Sequence, residues 1–231
     1  TTVGAGGFGL VGSAPNARID GFALTRADHA GGIFVNGFAH FLQISNNRIY
    51  ANAGLYDGGI RLGHPTLTQD TPDGIRYVNA QNDGIRILNN HIHENGGQGG
   101  AGGGISLCTG STGYEVSQNW ICGNFSLGDG GGIGHLGLSH GGRIAHNNIL
   151  FNENFNQGTT VSGGGIFIAG AAPIPAGGLS EGSGSVQIVG NLIQGNLAGV
   201  GDGGGIRILR ANGLEVLANR FLPNGWYGID I

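Results

Sequence analysis

Apolar residues recur along the chain in one fixed phrase. An aliphatic residue is followed three positions later by asparagine, and a second apolar residue and a second asparagine complete the phrase. The phrase occurs six times and begins at Ile44, Ile87, Val116, Ile144, Ile188 and Val216. The starts are separated by 43, 29, 28, 44 and 28 residues, so a unit of about 28 residues repeats with two insertions of about 15.

A second phrase alternates with the first. Two or three glycines precede an isoleucine, at Ile33, Ile60, Ile105, Ile133, Ile166 and Ile206, and the chain stops inside another copy. After each glycine run, apolar and variable residues alternate, which is the period of a β-strand. Together the two phrases predict three short strands in each unit.

A unit of this size cannot bury its apolar side alone and must stack on its neighbours, which indicates a solenoid. Helical repeats are excluded because glycine clusters and β-branched residues disfavour helix. The sequence therefore predicts an all-β solenoid.

The two phrases resemble those of the right-handed parallel β-helix superfamily, which includes pectate lyases, polygalacturonases and many non-enzymatic surface proteins. The resemblance extends from about Arg18 to the end of the chain. It implies a single-stranded right-handed parallel β-helix of about seven coils, with an internal ladder of bend asparagines at Asn47, Asn90, Asn119, Asn147, Asn191 and Asn219. Asparagine tolerates left-handed bends, and a buried amide needs the partner that the next coil supplies.

Two side-chain columns have structural explanations. Arg86, Glu115 and Arg143 fall at equivalent outward positions of successive units, which predicts a row of ion pairs about 4.8 Å apart. His135 stands where other units carry an aliphatic residue, so we expect an inward, hydrogen-bonded histidine rather than a functional one.

We interpret residues 1–231 as one β-helix segment of a longer chain, with long loops at 63–84 and 169–185. Both loops follow the strand after the glycines, three coils apart, and would wall a trough with a floor at Ser106 and Gly134. This predicts a binding site for a polymer, formed by Arg61, Ser106, His140 and Phe167. Loops on a rigid scaffold are where function concentrates.

Candidate catalytic residues are few. Hydrolases and lyases acting on polysaccharides need clustered carboxylates or an acid and base pair. The best candidates are Asp70 and Asp73 in the first long loop, with His64 as a base. Solvated loop charges are the alternative explanation.

Metal binding has weak candidates only. Asp129 and Asp202 precede glycine runs and would suit calcium, although Asp-Gly also forms turns. His91 and His93 flank Ile92 and should project outward together, but two ligands do not complete a metal site. We therefore expect no cofactor, with calcium as the alternative.

Composition excludes some functions. The net charge is −4 and only 10% of residues are charged, so nucleic acid is not an expected partner. No apolar run approaches the roughly 20 residues of a membrane span. Lysine is absent, which excludes Schiff-base chemistry in this segment. Cys108 and Cys122 are equally consistent with a disulfide and with free thiols on neighbouring strands.

Two functions remain open from the sequence. The first is a non-catalytic scaffold, secreted or on a bacterial cell surface, which binds polysaccharide or associates with itself through its coil ends. The second is a polysaccharide lyase or glycoside hydrolase that uses the trough between the long loops.

Overall fold

The computed structural model describes residues 17–100, 102–225 and 227–231. In these ranges the chain forms short β-strands and no α-helix, so no helix that could cross a membrane is present there. The strands build four parallel sheets and one antiparallel hairpin. The protein is therefore a parallel β-helix, as the repeat predicted.

Three of the sheets have seven strands each. Sheet I follows the glycine runs and contains Ile33–Val35, Ile60–Leu62, Ile105–Cys108, Ile133–Leu136, Ile166–Ala169, Ile206–Leu209 and Ile229–Asp230. Sheet II precedes the first bend and contains Ala17–Asp20, Leu42–Ser45, Arg86–Leu88, Glu115–Ser117, Gly142–Ala145, Val186–Val189 and Glu215–Leu217. Sheet III follows that bend and contains Ala23–Thr25, Arg48–Tyr50, His91–His93, Trp120–Cys122, Asn148–Leu150, Leu192–Gln194 and Arg220–Phe221.

The fourth sheet is absent from the sequence prediction of three strands per unit. Sheet IV consists of two-residue strands at Ala53–Gly54, Gly96–Gly97, Phe125–Ser126, Glu153–Asn154 and Leu197–Ala198. Strands this short carry no alternation of apolar and polar residues, so the hydrophobic pattern does not reveal them.

Register between coils keeps equivalent residues on top of one another. Ile87 pairs with Ile44 on one side and with Val116 on the other, and Ile121 pairs with Ile92 and Ile149. These aliphatic side chains point inward and are fully buried. The core is thus a set of aliphatic columns that run along the axis, and alternate residues of each strand point outward.

The predicted asparagine ladder is confirmed. Along this column the Nδ2 group of each asparagine donates to the Oδ1 atom of the next, over distances of 2.9–3.0 Å. The same Oδ1 atom also accepts a hydrogen bond from a backbone N–H, as Asn119 does from Asn90. Each amide therefore satisfies buried backbone groups of the neighbouring coil as well as its own.

A second ladder runs beside the first at the bend between sheets III and IV. Its members are Asn52, Asn95, Asn124, Asn152, Asn196 and Asn224, and they are joined by the same side-chain bonds at 2.9–3.0 Å. The sequence phrase contains this asparagine in all six copies, but the prediction assigned only the first to a ladder.

The left-handed backbone of each bend falls one residue before the ladder asparagine. Asn46, Asn89, Gln118 and His146 have φ values between 54° and 58°, whereas the ladder residues are not among those with positive φ. Tolerance of left-handed bends, the expected reason for asparagine, therefore does not apply at the ladder positions. Their buried hydrogen bonds explain the residue instead.

The glycine runs are required by the close approach of neighbouring coils. A Cβ atom on Gly132 would lie 2.6 Å from the carbonyl oxygen of Gly165 and 3.0 Å from Nδ2 of Asn152. Any larger residue would have to push the next coil away. The glycine runs therefore allow the backbone that precedes each strand of sheet I to pack closely against the asparagines of the second ladder.

Both structural columns are confirmed. Glu115 lies between two guanidinium groups, 2.9 Å from Nε of Arg86 and 3.8 Å from Nη1 of Arg143. His135 is fully buried: its Nδ1 atom accepts from the Tyr114 hydroxyl at 2.9 Å, and Nε2 donates to backbone carbonyls of Gly137 and Ser183.

The cysteines are free. Cys108 is buried in sheet I, and Cys122 is half-buried in sheet III, so the thiols do not lie on neighbouring strands. Burial raises the pKa of the Cys108 thiol to about 12, which keeps it protonated and unreactive.

Candidate functional site

The outward column of sheet I is covered rather than open. Ser106 is 0% exposed, Phe167 is 4% exposed and Arg61 is 9% exposed, although their positions in the strand face away from the core. Glycine bends fold back over Ser106 and Phe167: a Cβ on Gly102 would lie 2.6 Å from the Ser106 hydroxyl, and one on Gly163 would lie 2.8 Å from Cβ of Phe167. The expected trough therefore has no exposed floor at Ser106 or Phe167.

The two long loops contact each other instead of standing apart. The loop at 63–84 contains an antiparallel hairpin, Thr68–Thr71 with Gly74–Tyr77. From this hairpin the Tyr77 hydroxyl donates to the carbonyl of Ala172 in the second loop, at 2.8 Å. His140 is exposed in the turn before sheet II, outside this contact.

His64 belongs to a polar chain that starts at Arg61. The Arg61 guanidinium is sandwiched between the rings of Phe34 and Tyr56, 4.6 Å from each centroid. Its Nη2 donates to Nδ1 of His64 at 2.8 Å, and Nε2 of His64 donates to Oδ1 of Asn36 at 2.6 Å. Burial, and secondarily the Arg61 charge, lowers the pKa of His64, so the imidazole is a neutral acceptor in this chain.

Asp57 is a buried acid close to the same arginine. It is 1% exposed, and neither carboxylate oxygen has a hydrogen-bond partner among the described residues. Burial raises its pKa to about 7, against a smaller opposing effect of the Arg61 charge. The folded chain therefore holds a proton here up to neutral pH, whereas the unfolded chain releases it near 3.8.

We expect Asp57→Asn to stabilise the protein at pH 8. Because the folded pKa is raised, stability falls as pH rises from about 4 to 7, and the full cost of the buried charge is present above pH 7. Asparagine removes that charge but buries an amide, so the net gain should be about 1–2 kcal/mol. Urea unfolding at pH 8 and pH 4 measures it, with the exposed Asp73→Asn as control. A variant less stable than the wild type at pH 8 would contradict this account.

The acidic catalytic candidates lie on the hairpin. Asp70 and Asp73 are exposed, and Asp73 lies 3.4 Å from Nη2 of Arg76. Neither residue contacts His64 through a hydrogen bond or an ion pair within the described ranges. The structure does not assemble these three residues into one constellation.

The calcium candidates are separated by an intervening coil. Ser162 stands between them: its backbone N–H donates to Oδ1 of Asp129 at 2.7 Å, and its hydroxyl accepts from the backbone N–H of Asp202 at 3.3 Å. Across residues 17–100, 102–225 and 227–231, no three His, Cys, Asp or Glu side chains are grouped so that they could hold a metal ion.

The exterior of sheet III carries a groove that the sequence prediction missed. Its volume is about 410 Å³, and it is lined by Asn89, Asn90, His91, Gln118, Trp120 and Asn148. Trp120 is 46% exposed, so one face of its ring is open to a ligand. Among the described residues, nothing accepts from or donates to the side-chain amides of Asn89, Gln118 and Asn148.

A row of rings connects this groove to a cation. His91 packs edge-on against Trp120, with centroids 6.4 Å apart, and lies 4.3 Å from the ring of His93. His93 stacks on Tyr50 at 5.2 Å and accepts a hydrogen bond from Nε of Arg48. His93 is consequently buried, whereas the sequence predicted that both histidines project into solvent.

The groove is electrically neutral near pH 7. Burial lowers the pKa of His91, and the neighbouring His93 and Arg48 add to this effect. No carboxylate is among the lining residues. Cys122 lies 3.7 Å from Nε2 of His91, but burial raises the pKa of its thiol, so it is not an activated nucleophile.

The outward direction of Trp120 follows from the alternation of inward and outward residues in the sequence. Trp120 stands at the outward position between the inward residues Asn119 and Ile121, where other coils carry alanine, arginine, histidine, asparagine or leucine. A solvent-facing tryptophan beside side-chain amides offers an aromatic face together with hydrogen-bonding groups, a combination that suits a binding surface.

No family model, curated protein or solved structure matches this chain.

Proposed function

We propose that the chain is a non-catalytic scaffold, secreted or on a cell surface, which binds polysaccharide through the groove on sheet III. The observation that carries the proposal is the exposed Trp120 ring beside three side-chain amides that lack partners among the described residues. We also infer membership of the pectate lyase-like superfamily of right-handed β-helices, which the repeat phrases and the inward asparagine column support.

The chemistry of the groove suits a sugar. A pyranose ring has a face of C–H groups, which packs on the electron-rich face of an aromatic ring, and a rim of hydroxyls, which donate and accept hydrogen bonds. Amide side chains offer both donors and acceptors at one site. The proposal assigns no reaction to the groove, because its lining contains no acid and base pair.

The rigidity of the scaffold supports the same function. Trp120 and its neighbours project from strands that are fixed by ladder bonds on the inside, so little order has to be gained on binding. A preorganised, weakly charged surface is what a binding scaffold needs.

We expect Trp120→Ala to weaken polysaccharide binding about tenfold, because the packing of one sugar face on the ring is worth about 1.4 kcal/mol or more. Affinity electrophoresis against a panel of neutral and acidic polysaccharides measures the binding. Phe151→Ala is the matched control, since Phe151 is an exposed aromatic outside the groove and alanine already occupies the equivalent bend position at Ala51. Retardation by no polysaccharide, or equal retardation of Trp120→Ala, would refute the proposal.

A further inference from the structure

The groove repeats its chemistry along the solenoid axis. His91, Trp120 and Asn148 are register partners on three successive strands of sheet III, about 4.8 Å apart. At the adjoining bend, Asn89 precedes the first of these strands and Gln118 precedes the second. Each of the three coils therefore presents at least one side-chain amide to the groove.

We propose that the groove binds an uncharged linear polysaccharide that lies parallel to the solenoid axis, with one sugar unit on each of three coils. This inference rests on the proposed function. It assigns the central unit to the Trp120 ring and the flanking units to Asn89 with His91 and to Asn148.

The positions of the polar groups indicate the direction in which the bound polysaccharide runs. A ligand running along the strand from Gln118 over Trp120 would next meet Cys122, a thiol with little capacity for hydrogen bonding. A ligand running across the strands meets amides on both sides of the ring. Successive coils are also spaced at about the length of one sugar unit, so a polymer laid along the axis remains in step with the protein.

The absence of charge in the ligand follows from the lining. No carboxylate, arginine or lysine lines the groove. On the strand next to His91, the Arg48 guanidinium is already engaged, since it donates to His93 at 3.1 Å and lies 4.5 Å from the centroid of the Tyr50 ring. An acidic sugar would give up hydration of its carboxylate without gaining an ion pair from the groove, whereas hydroxyl groups find amide partners.

The unpartnered amides give the binding its selectivity for length. Asn89 and Asn148 lie on opposite flanks of Trp120, so a ligand of two units can occupy the ring and only one flank. A third unit adds the contacts of the other flank, and a fourth adds none from this groove. Affinity should therefore rise about tenfold from two units to three and then stay constant within about twofold.

Isothermal titration calorimetry of the intact chain tests the inference. The probes are cello-, laminari- and manno-oligosaccharides of two to six units, with oligogalacturonides of the same lengths as charged counterparts. At least one neutral series should show the rise to three units and bind more tightly than the oligogalacturonides. Asn148→Ala should abolish the gain from the third unit and leave the two-unit affinity within about twofold. Gln194→Ala is the matched control, because it removes an amide from sheet III outside the groove.

The outcomes separate this inference from the proposed function. An affinity that is independent of length, or a preference for oligogalacturonides, would overturn the inference while binding through Trp120 still stands. Absence of binding to every glycan, neutral or acidic, would overturn both.

Discussion

Replacing Asn119 with alanine should destabilise the protein by roughly 3–5 kcal/mol. The Asn119 side chain is buried and accepts hydrogen bonds from the backbone N–H and the Nδ2 of Asn90. It also donates to the carbonyls of Ile87 and Ser117 and to Oδ1 of Asn147. Alanine leaves these groups of three coils unsatisfied in a dry interior, where each costs about 1–3 kcal/mol before relaxation.

Equilibrium urea unfolding, followed by far-ultraviolet circular dichroism, measures this effect. Asn148→Ala is the matched control, since it removes an asparagine from the adjoining strand whose side chain has no hydrogen bond to a described residue. We expect the control to change the free energy of unfolding by less than about 0.5 kcal/mol. Equal effects of the two substitutions would mean that the ladder does not stabilise the coils.

Acid should destabilise the protein through His135. Burial lowers the pKa of this histidine to about 4, although hydrogen bonds to the Gly137 and Ser183 carbonyls partly oppose the shift. Because the unfolded imidazole takes up its proton near 6.5, the unfolded state binds more protons between pH 6.5 and 4. Stability from this residue is complete above pH 6.5 and falls by about 3 kcal/mol on reaching pH 4.

The double variant His135→Leu with Tyr114→Phe isolates this contribution. Leucine occupies the equivalent position at Leu107, and phenylalanine removes the hydroxyl that would otherwise lose its acceptor. Between pH 7 and 4, the wild type should lose about 3 kcal/mol more than the double variant. Asp57 titrates in an overlapping range with the opposite sign, but it is present in both proteins and cancels. Identical pH profiles would show that His135 does not take part.

The fold could be predicted from the sequence because every coil has the same arrangement of strands and inward residues. Every coil places an aliphatic residue such as Ile87 or Ile121 over its counterpart, so one phrase carries the same information six times. The second ladder was missed although Asn124 is as regular as Asn119, since only the first column had an assigned role. Sheet IV was missed because its strands vary from Gly96–Gly97 to Glu153–Asn154 and share no apolar period.

The site was less accessible because exposure depends on how turns fold over the sheets. Ser106 occupies an outward position in its strand, yet the bend at Gly102 covers it. Trp120 occupies an equally outward position on sheet III, and it remains exposed. The alternation of inward and outward positions along a strand predicts the direction of a side chain. Its exposure also depends on whether another segment covers it.

The hydrogen bond between Tyr77 and Ala172 changes how disturbances can travel through this protein. In a plain solenoid each repeat touches only its neighbours, so loss of structure can spread one repeat at a time, as in a zipper. Here the two loops leave coils that are three strands apart in sheet I and clasp each other at their outer ends. We therefore expect the strands enclosed between the loops to unfold together more than the strands outside, because separating them also breaks a contact between coils that are not neighbours.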